Sequence, residues 1–430
     1  MTKATHYSFA GHDTVALAET YGTPLYVLSE DMIRQRCRLI REGFLDKHPG
    51  SRAAYASKAF LSMAMCRIVE EEGFCLDVVS GGELYTALQA NFPMDRVIFH
   101  GNNKSLEELE MAVKHNVGRI VADHPEEIRL LEVFAGQAGK KVNIQLRIVP
   151  EVEGKTHKHI MTGQKDTKFG VPLEPSLIHQ VVKEALESPH LELTGFHFHL
   201  GSNLFEQDIY VKAVERVMTL TKELKDSLGF VPKELNAGGG YGIRYLAEDQ
   251  VYPATYYTEV IMDTVKQLSA ELDLPQPRVT IEPGRWIVGE AGITLYSVGA
   301  IKTIPGVRTY VSVDGGMPDN IRPALYGATY EAVVANKINE PKSEVVTVAG
   351  KCCETGDILI WDMETPPLER GDVLAVLSTG AYSDSMASNY NRLPRPAVVL
   401  LTGDEARLMV DRENYGDLLV RERRAVGKQL

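Results

Sequence analysis

The chain has 430 residues, more than one hydrophobic core usually organises, so two domains are expected. Its 44% hydrophobic and 24% charged residues are typical of a globular protein, and the net charge of -12 argues against a nucleic-acid or anionic-membrane partner. Five cysteines without a repeating spacing do not suggest a disulfide framework, and no signal peptide or membrane-length apolar run is visible, so we expect a cytoplasmic protein.

From about residue 50 to residue 285, apolar β-branched runs alternate with stretches whose apolar residues recur at helical spacing. This rhythm predicts a (β/α)8 barrel, with an open doubly wound sheet as the alternative because periodicity does not reveal closure. In either fold, function is expected at the carboxyl ends of the strands. The eight predicted strands are "RAAYAS", "CLDVVS", "RVIFHG", "GRIVAD", "KVNIQLRIV", "LELTGFHFHL", "KELNAGG" and "RVTIEPG".

After "EPGRWIVGEAG" the pattern changes to strand-like runs separated by turn-rich segments, which predicts an all-β second domain. An earlier strand-like run, "PLYVLS" at residues 24–29, fits either domain. The polar, glycine-punctuated segment at residues 150–170 is typical of a mobile active-site loop or of an ordinary surface excursion. The runs of the second domain are "ITLYSVGAIKTI", "RTYVSVDGG", "EVVTVAGK", "DILIWDM", "DVLAVLSTGAYS" and "AVVLLTG".

Polar side chains stand at the ends of the predicted barrel strands. Lysine is among the residues least often buried, yet Lys58 closes the first apolar run. Polar groups gathered at one rim are costly to desolvate unless they meet a ligand or each other, so this ring predicts a binding site. The ring consists of Lys58, Asp77, His100, Arg147, His197, His199, Gly238, Gly239, Gly240, Glu282 and Arg285.

Most of these residues have both a structural and a functional interpretation. Three glycines after a strand make a tight turn or present bare N–H groups to a phosphate, and Ser202 either joins that phosphate or caps a helix. No third zinc ligand follows His197 and His199 in sequence, so no metal is predicted, and packing against a cofactor ring is the simpler use of one histidine. Glu282 either pairs with Arg285 or holds a pyridinium nitrogen protonated.

A lysine amine, a phosphate cradle and a carboxylate at one rim describe a pyridoxal phosphate site. With these residues in view, the sequence resembles the alanine-racemase-like barrel group (fold type III) of pyridoxal phosphate decarboxylases, and within it the diaminopimelate decarboxylases. The similarity runs over nearly the whole chain, and several of its motifs are long and specific. They are "YASKA", "LDVVSGGEL", "HFHLGSN", "GGGYGI", "EPGR", "VDGGMPDNIRPALYGATY", "CCETGD" and "GAYSDSMASNYNRLPRP".

The resemblance implies a cofactor-binding barrel of residues 29–287 and a β-sandwich of residues 1–28 and 288–430 that completes the site across a homodimer. It implies that Lys58 carries pyridoxal phosphate and that Cys353 donates a proton. The implied cofactor-binding residues are Lys58, Asp77, His199, Ser202, Gly238, Gly239, Gly240, Glu282, Gly284, Arg285 and Tyr382. The implied substrate-binding residues are Arg285, Arg322, Tyr326, Glu354 and Tyr382.

The predicted reaction is the decarboxylation of meso-2,6-diaminopimelate to L-lysine and carbon dioxide, the last step of lysine biosynthesis. The second carboxylate of this substrate is expected to bind arginine in bidentate geometry, supplied by Arg285 and Arg322 with Tyr326, while Glu354 binds the distal ammonium. Alternatives are a decarboxylase of ornithine, arginine or carboxynorspermidine, a racemase, and a non-enzymatic cofactor-binding relative. The chain departs from the family in reading Gly350, Lys351 and Cys352 before Cys353, so two adjacent thiols compete for one role, and alignment favours Cys353.

Overall fold

The computed structural model describes residues 5–152 and 166–422, so most of the loop predicted at residues 150–170 lies outside the described residues. The chain divides into two compact units. One consists of residues 36–242 and 251–287, and the other of residues 1–35, 243–250 and 288–430. None of the helices within residues 5–152 and 166–422 has the length and apolar run that a membrane crossing requires.

The amino-terminal segment begins with two short strands and a capped helix. The carboxylate of Asp13 accepts hydrogen bonds from the N–H groups of Val15 and Ala16, and so satisfies donors that the first helical turn leaves open. The elements are β1 (Ser8–Phe9), β2 (His12–Asp13), α1 (Thr14–Tyr21), β3 (Leu25–Ser29) and α2 (Glu30–Ile40).

Eight parallel strands of one unit close into a barrel. They pair in chain order, and the last strand returns to pair with the first, which decides for the barrel over the open sheet. All eight predicted strands are confirmed. They are β4 (Arg52–Ala56), β5 (Cys75–Val78), β6 (Val97–Phe99), β7 (Arg119–Ala122), β8 (Val142–Val149), β10 (Leu191–His197), β11 (Glu234–Asn236) and β12 (Arg278–Ile281), and the short β9 (Val171–Pro172) adds to β8.

Helices follow the barrel strands, and serine side chains start three of the first ones. Ser62, Ser80 and Ser105 each accept a hydrogen bond from a backbone N–H three residues later, and Glu108 completes a capping box with Ser105. The helices are α3 (Met63–Glu71), α4 (Gly81–Gln89), α5 (Leu106–Lys114), α6 (Pro125–Ala138), α7 (Pro175–Glu187), α8 (Asp208–Leu228), α9 (Ala254–Glu271) and α10 (Arg285–Val288).

The other unit is the predicted all-β domain, with a nine-stranded sheet. The sheet includes β3, so "PLYVLS" belongs here. All six predicted runs form strands, whereas β15 was missed because it has three residues and β20 because half of its residues are exposed and none is buried. The elements are β13 (Gly292–Ile304), β14 (Arg308–Val313), α11 (Arg322–Tyr326), β15 (Ala332–Val334), β16 (Glu344–Ala349), β17 (Ile358–Thr365), β18 (Val373–Val376), β19 (Ala397–Thr402) and β20 (Glu405–Val410).

The inward-facing side chains of the barrel form three layers. Alternate residues of a strand face the same side, so residues two apart on one strand enter successive layers. A small apolar layer separates a charged layer at the amino ends of the strands from another at the carboxyl ends. In that order the layers contain Arg52, Arg119, Glu234 and Arg278; then Ala54, Ile98 and Val121; then Asp77, His100, His197 and Glu282.

The charged layer at the amino ends is organised by one buried carboxylate. Glu234 lies 2.5 Å from Arg119, 2.8 Å from Arg52 and 3.5 Å from Arg278. Burial by itself would raise the pKa of Glu234, but Arg119 and Arg52 outweigh it and bring this pKa to about 2. The carboxylate therefore stabilises the fold in its charged form.

We expect Glu234→Gln to lower the free energy of unfolding by about 3 kcal/mol at pH 7, because it leaves three guanidinium groups facing each other without a counter-ion. The folded pKa is below the ordinary 4.5, so this stabilisation is complete above pH 4.5 and is lost as the pH falls toward about 2. The difference in unfolding free energy between this variant and the unmodified chain should therefore become smaller as the pH falls. Urea denaturation at several pH values measures it.

A matched control is Glu184→Gln, which removes the carboxylate of an exposed ion pair with Arg129. This variant should unfold at nearly the same urea concentration as the unmodified chain, because exposed ion pairs contribute little. Equal effects of the two substitutions would contradict the assignment of Glu234 as the organising charge.

Candidate active site

The carboxyl-end layer brings the predicted lysine and aspartate together. Lys58 lies in the turn after β4, at Ser57–Ala59, and its Nζ is 3.3 Å from Oδ2 of Asp77 on the neighbouring β5. Asp77 is fully buried, whereas about a third of the Lys58 side chain (36%) is exposed. The amine is therefore paired with a buried carboxylate and at the same time partly exposed, which lets a reactant reach it.

Glu282, directly after β12, is the centre of the layer. Its Oε1 accepts a hydrogen bond from Nδ2 of Asn236 at 2.6 Å and lies 2.7 Å from Nε2 of His100. Its Oε2 lies 3.2 Å from Nε2 of His197. Burial opposes the charged form, but the two histidines hold the pKa of Glu282 well below its usual range. The carboxylate contacts these groups rather than Arg285, the structural partner considered from the sequence.

His100, His197 and Glu282 also have the residue types of a metal site, with their ligand atoms within 4.8 Å of one another. The fold thus places two further residues of metal-binding type beside His197, although neither is close to it in sequence. Zinc bonds of about 2.0–2.1 Å would hold neighbouring ligand atoms about 3.4 Å apart. The 2.7 Å separation of His100 and Glu282 is instead the distance of a direct contact between the two side chains.

The three consecutive glycines follow β11 and lie in a closely packed loop. A Cβ on Gly239 would lie 2.0 Å from the carbonyl oxygen of Glu282, and one on Gly240 would lie 2.3 Å from that of Gly201. Gly240 also has a φ of +99°, which side chains rarely adopt. Both positions therefore require glycine.

Hydrogen bonds fix the direction of the peptide groups in this loop. The hydroxyl of Tyr210 donates to the carbonyl oxygen of Gly239, and the N–H of Leu204 donates to that of Gly240. Within the described part of the chain, the N–H groups of Gly240 and Tyr241 have no acceptor. These open donors fit the phosphate of pyridoxal phosphate, because phosphate binds to successive bare N–H groups.

Ser202 and Arg285 lie together in the same unit. The guanidinium of Arg285 donates to Oγ of Ser202 at 2.8 Å, and a Cβ on Gly284 would lie 2.8 Å from Cβ of Ala56. The turn into α10 therefore packs against the end of β4, close to Lys58 in sequence. Ser202 is a hydrogen-bond acceptor here rather than a helix cap.

Two further residues predicted from the sequence, His199 and Arg147, have different partners. His199, two residues after His197, accepts a hydrogen bond on Nδ1 from the N–H of Gly239 at 3.4 Å. Desolvation and the neighbouring Lys58 hold the pKa of His199 well below its usual value, so its ring is neutral. Arg147 is buried 3.9 Å from Asp123.

The remaining predicted residues lie in the other unit, where Arg322 is the centre of an aromatic cluster. Its guanidinium carbon lies 5.4 Å from the ring centre of Tyr245, 5.8 Å from that of Tyr382 and 6.0 Å from that of Tyr326. Arg322 is buried, and in the described residues its Nε has no hydrogen-bond partner. A buried, unsatisfied guanidinium donor fits an anionic group such as a carboxylate.

The two adjacent thiols differ in environment. Cys352 is half-buried, and burial, followed by the nearby Asp357 carboxylate, raises its pKa to about 12. Cys353 is exposed, and its backbone N–H donates to the side-chain oxygen of Asn391. Glu354 is also exposed and accepts a hydrogen bond from the hydroxyl of Tyr390 at 3.4 Å. The two thiols thus differ in accessibility, because Cys353 is exposed and Cys352 is half-buried.

Each unit thus gathers part of the predicted set of site residues. The barrel unit brings together the predicted residues from Lys58 to Arg285, and the other unit brings together Arg322, Tyr326 and Tyr382. Asn236 and Tyr210 were not among the residues predicted from the sequence. Asn236 could have been found, because it lies two residues after Glu234 on an inward-facing strand position. Tyr210 could not, because it has the pattern of an ordinary core residue of a helix.

Comparisons with known proteins agree with this geometry. Residues 30–289 match the family model of the pyridoxal binding domain of pyridoxal-dependent decarboxylases. The chain is 51% identical to a diaminopimelate decarboxylase of Bacillus subtilis (strain 168), over 96% of this chain and 94% of that protein. It is 49% identical to that of Bacillus methanolicus, over 95% of each chain.

Solved structures are similar over almost the whole chain. The diaminopimelate decarboxylase from M. jannaschii in complex with L-lysine has a TM-score of 0.91 and 36% identity, over 98% of this chain and 96% of that one. The diaminopimelate decarboxylase from Helicobacter pylori, also complexed with L-lysine, has a TM-score of 0.86 and 32% identity, over 95% of this chain and 99% of that one.

We expect Gly240→Ala to weaken the binding of pyridoxal phosphate at least ~10-fold, about 1.4 kcal/mol, because the added Cβ displaces the loop that carries the open N–H groups. Absorbance titration of cofactor-free protein measures the dissociation constant. Gly229→Ala is the control, since Gly229 also has a positive φ, +67°, but a Cβ there meets nothing within 4 Å. Equal losses in both variants would mean that backbone strain, not the phosphate loop, causes the effect.

Proposed function

The chain belongs to the diaminopimelate decarboxylase family of pyridoxal-dependent decarboxylases, and from this premise we propose how its residues act in converting meso-2,6-diaminopimelate to L-lysine and carbon dioxide. The observation that carries the proposal is the buried carboxylate of Glu282, held by three side chains in one barrel layer with Lys58. Two solved relatives bind L-lysine, the product of this reaction. The comparisons give no support to an ornithine or arginine decarboxylase.

The barrel residues fit pyridoxal phosphate at three points. Lys58 would supply the amine that binds it, the N–H groups around Gly240 with Ser202 would hold its phosphate, and Glu282 would interact with its ring nitrogen. The bound cofactor accepts the electron pair that the departing carboxylate leaves behind. Asp77, Gly238, Gly239, Gly284 and Arg285 complete the proposed cofactor set, together with Tyr382.

Electrostatics prepare these residues for their roles. Asp77 would hold the Lys58 amine at the rim whenever that amine is free, because the two side chains form an ion pair. His199 is neutral, so its ring can pack flat on the cofactor without adding a charge. Glu282 stays ionised and therefore favours a protonated ring nitrogen, which strengthens the cofactor as an electron acceptor.

Arg322 is proposed to bind the carboxylate at the far end of the substrate. Its guanidinium is buried among tyrosine rings, and its Nε is open, so a carboxylate can bind it in the bidentate geometry that lysine cannot offer. Tyr326 and Arg285 are proposed to assist, and Glu354 is proposed to bind the distal ammonium. A substrate with a distal ammonium alone would leave Arg322 without a partner.

We further propose a homodimer in which residues 1–28 and 288–430 form a domain that completes the barrel site, residues 29–287, of the partner subunit. Cys353 and Glu354 are exposed on this chain, which suits residues that act on a second copy. Large apolar side chains are exposed in the same unit, among them Trp361 (59%) and Tyr415 (79%), as expected of a surface that pairs. Five free cysteines suit a reducing cytoplasm.

We expect the purified protein to form lysine from meso-diaminopimelate when pyridoxal phosphate is present, and Lys58→Ala to abolish this activity because it removes the attachment point. Lysine release is measured directly, with ornithine and arginine as control substrates. Turnover of a control substrate without lysine formation from diaminopimelate would support the proposed cofactor but contradict the proposed role of Arg322.

The shared site is tested by mixing two inactive variants. Lys58→Ala and Cys353→Ala are each expected to be inactive as pure proteins, yet a mixture that exchanges subunits should recover roughly a quarter of full activity, because half of the dimers then hold one intact site. No recovery, with subunit exchange verified by two affinity tags, would mean that each chain completes its own site. Full activity of Cys353→Ala by itself would reject the role of that thiol.

A further inference from the structure

Two turns of the domain that contains Arg322 carry residues proposed to act on the substrate. The first turn, residues 314–321, follows β14 and leads directly to Arg322. The second turn, residues 350–357, follows β16 and carries Cys353 and Glu354. Because β14 and β16 pair in parallel, both turns leave the same end of the two strands. They therefore start side by side.

The carboxylate of Asp357 joins the two turns by side-chain hydrogen bonds. Its Oδ1 accepts the N–H of Met317 at 2.6 Å, and its Oδ2 accepts the N–H of Cys352 at 2.8 Å. Asp357 is 3% exposed, so water competes little for these bonds. Its backbone is held as well, because its N–H donates to the carbonyl oxygen of Glu354 and its own carbonyl oxygen accepts the N–H of Gly350. One residue thus sets the distance between the turns.

Two glycines leave the room that this carboxylate needs. A Cβ on Gly350 would lie 2.1 Å from Oδ2 of Asp357, and a Cβ on Gly316 would lie 2.5 Å from the same oxygen. A side chain at either position would therefore push the carboxylate away from its partners. Gly350 does not have a positive φ, so the space taken by the carboxylate, rather than the backbone conformation, explains the glycine there.

Neighbouring polar side chains do not make the same link. Asp319 accepts the N–H of Gly316 at 2.9 Å, but both residues belong to the first turn, so this bond shapes that turn alone. Asn391 accepts the N–H of Cys353 at 2.7 Å and connects the second turn to a different part of the chain. In the described part of the chain, Asp357 is the side chain whose hydrogen bonds reach both turns.

We propose that Asp357 is a positioning residue, which holds the turn with Cys353 and Glu354 against the turn that leads to Arg322. The inference rests on the proposed function, in which these three residues act on the substrate. Each group then keeps the position that its role requires before the substrate arrives, so less binding energy is lost in ordering the turns.

We expect Asp357→Asn to lower kcat/KM for meso-diaminopimelate roughly 10- to 100-fold, because a misplacement of ~1 Å can cost that much in rate. The amide has the size of the carboxylate but only one oxygen, so its NH2 group must face one of the two N–H donors. Lysine formation at saturating pyridoxal phosphate measures kcat and KM. The dissociation constant of the cofactor, titrated through its absorbance band with Lys58, should stay unchanged, because Asp357 bonds only to the two turns.

A second variant, Gly350→Ala, perturbs the same link without removing the charge. Its added Cβ displaces the carboxylate of Asp357, so kcat/KM should fall as it does in Asp357→Asn. The losses should not multiply when the two substitutions are combined, because the link is already broken in each. This variant also carries the test if Asp357→Asn does not fold.

Each substitution has a matched control in the same unit. Asp372 is also a buried carboxylate, which accepts the N–H of Glu369 at 2.7 Å and pairs with Lys337 at 2.8 Å. Gly299 likewise has no positive φ, and a Cβ there would lie 3.4 Å from its nearest neighbour, the carbonyl oxygen of Ser312. Asp372→Asn and Gly299→Ala should therefore keep kcat and KM, even where they lower the melting temperature.

Unchanged kcat and KM in Asp357→Asn or in Gly350→Ala would overturn the inference. Equal losses in Asp372→Asn would overturn it too, because a general loss of stability would then be the cause, and so would weaker cofactor binding in Asp357→Asn. Failure of the unmodified chain to form lysine, or to give an absorbance band with pyridoxal phosphate, would instead reject the proposed function. The two failures are distinguishable because the second is read on the unmodified chain.

Discussion

The buried carboxylate of Glu282 is the constraint on which the barrel site depends. An ionised carboxylate costs several kcal/mol to bury unless its oxygens are satisfied, so strands from different parts of the chain must place donors around it. Asn236 on β11 and His197 on β10 donate to it, and His100 after β6 lies 2.7 Å away, which requires that the barrel close in one register. A one-residue slip of any of these strands would turn its donor outward.

Two buried glutamates at opposite ends of the same barrel show how the choice of partner separates stability from function. Glu234 is surrounded by arginines, which cannot lose their charge, so its layer is permanently compensated. Glu282 is surrounded by an amide and two imidazoles, which can be neutral. The first arrangement leaves no need for a ligand, whereas the second leaves a negative charge that a cationic ring nitrogen can compensate. In the proposed function, this difference separates the structural glutamate from the cofactor-binding one.

The sequence predicts the individual strands and polar residues of the barrel site better than it predicts which of these residues meet in space. Strand periodicity is local, so it revealed all eight barrel strands, and Lys58 was noticed because a lysine after a buried run is unusual. Closure and register involve residues more than a hundred positions apart, which no local pattern encodes. The grouping of His100 and Asn236 around Glu282 therefore required the structure, as did the different burial of Cys352 and Cys353. The roles of these residues stay predictions.

The two units leave buried charges of opposite sign that suit different parts of one reaction. In the described residues, no carboxylate pairs with Arg322, whose guanidinium packs on tyrosine rings, and no lysine or arginine contacts Glu282. An anion is needed in one unit and a cation in the other. A cofactor with a protonated ring nitrogen meets the second need, and a substrate with a distal carboxylate meets the first. In the proposed function, Arg322 selects a dicarboxylic amino acid, because a diamine precursor would leave its charge buried and unsatisfied.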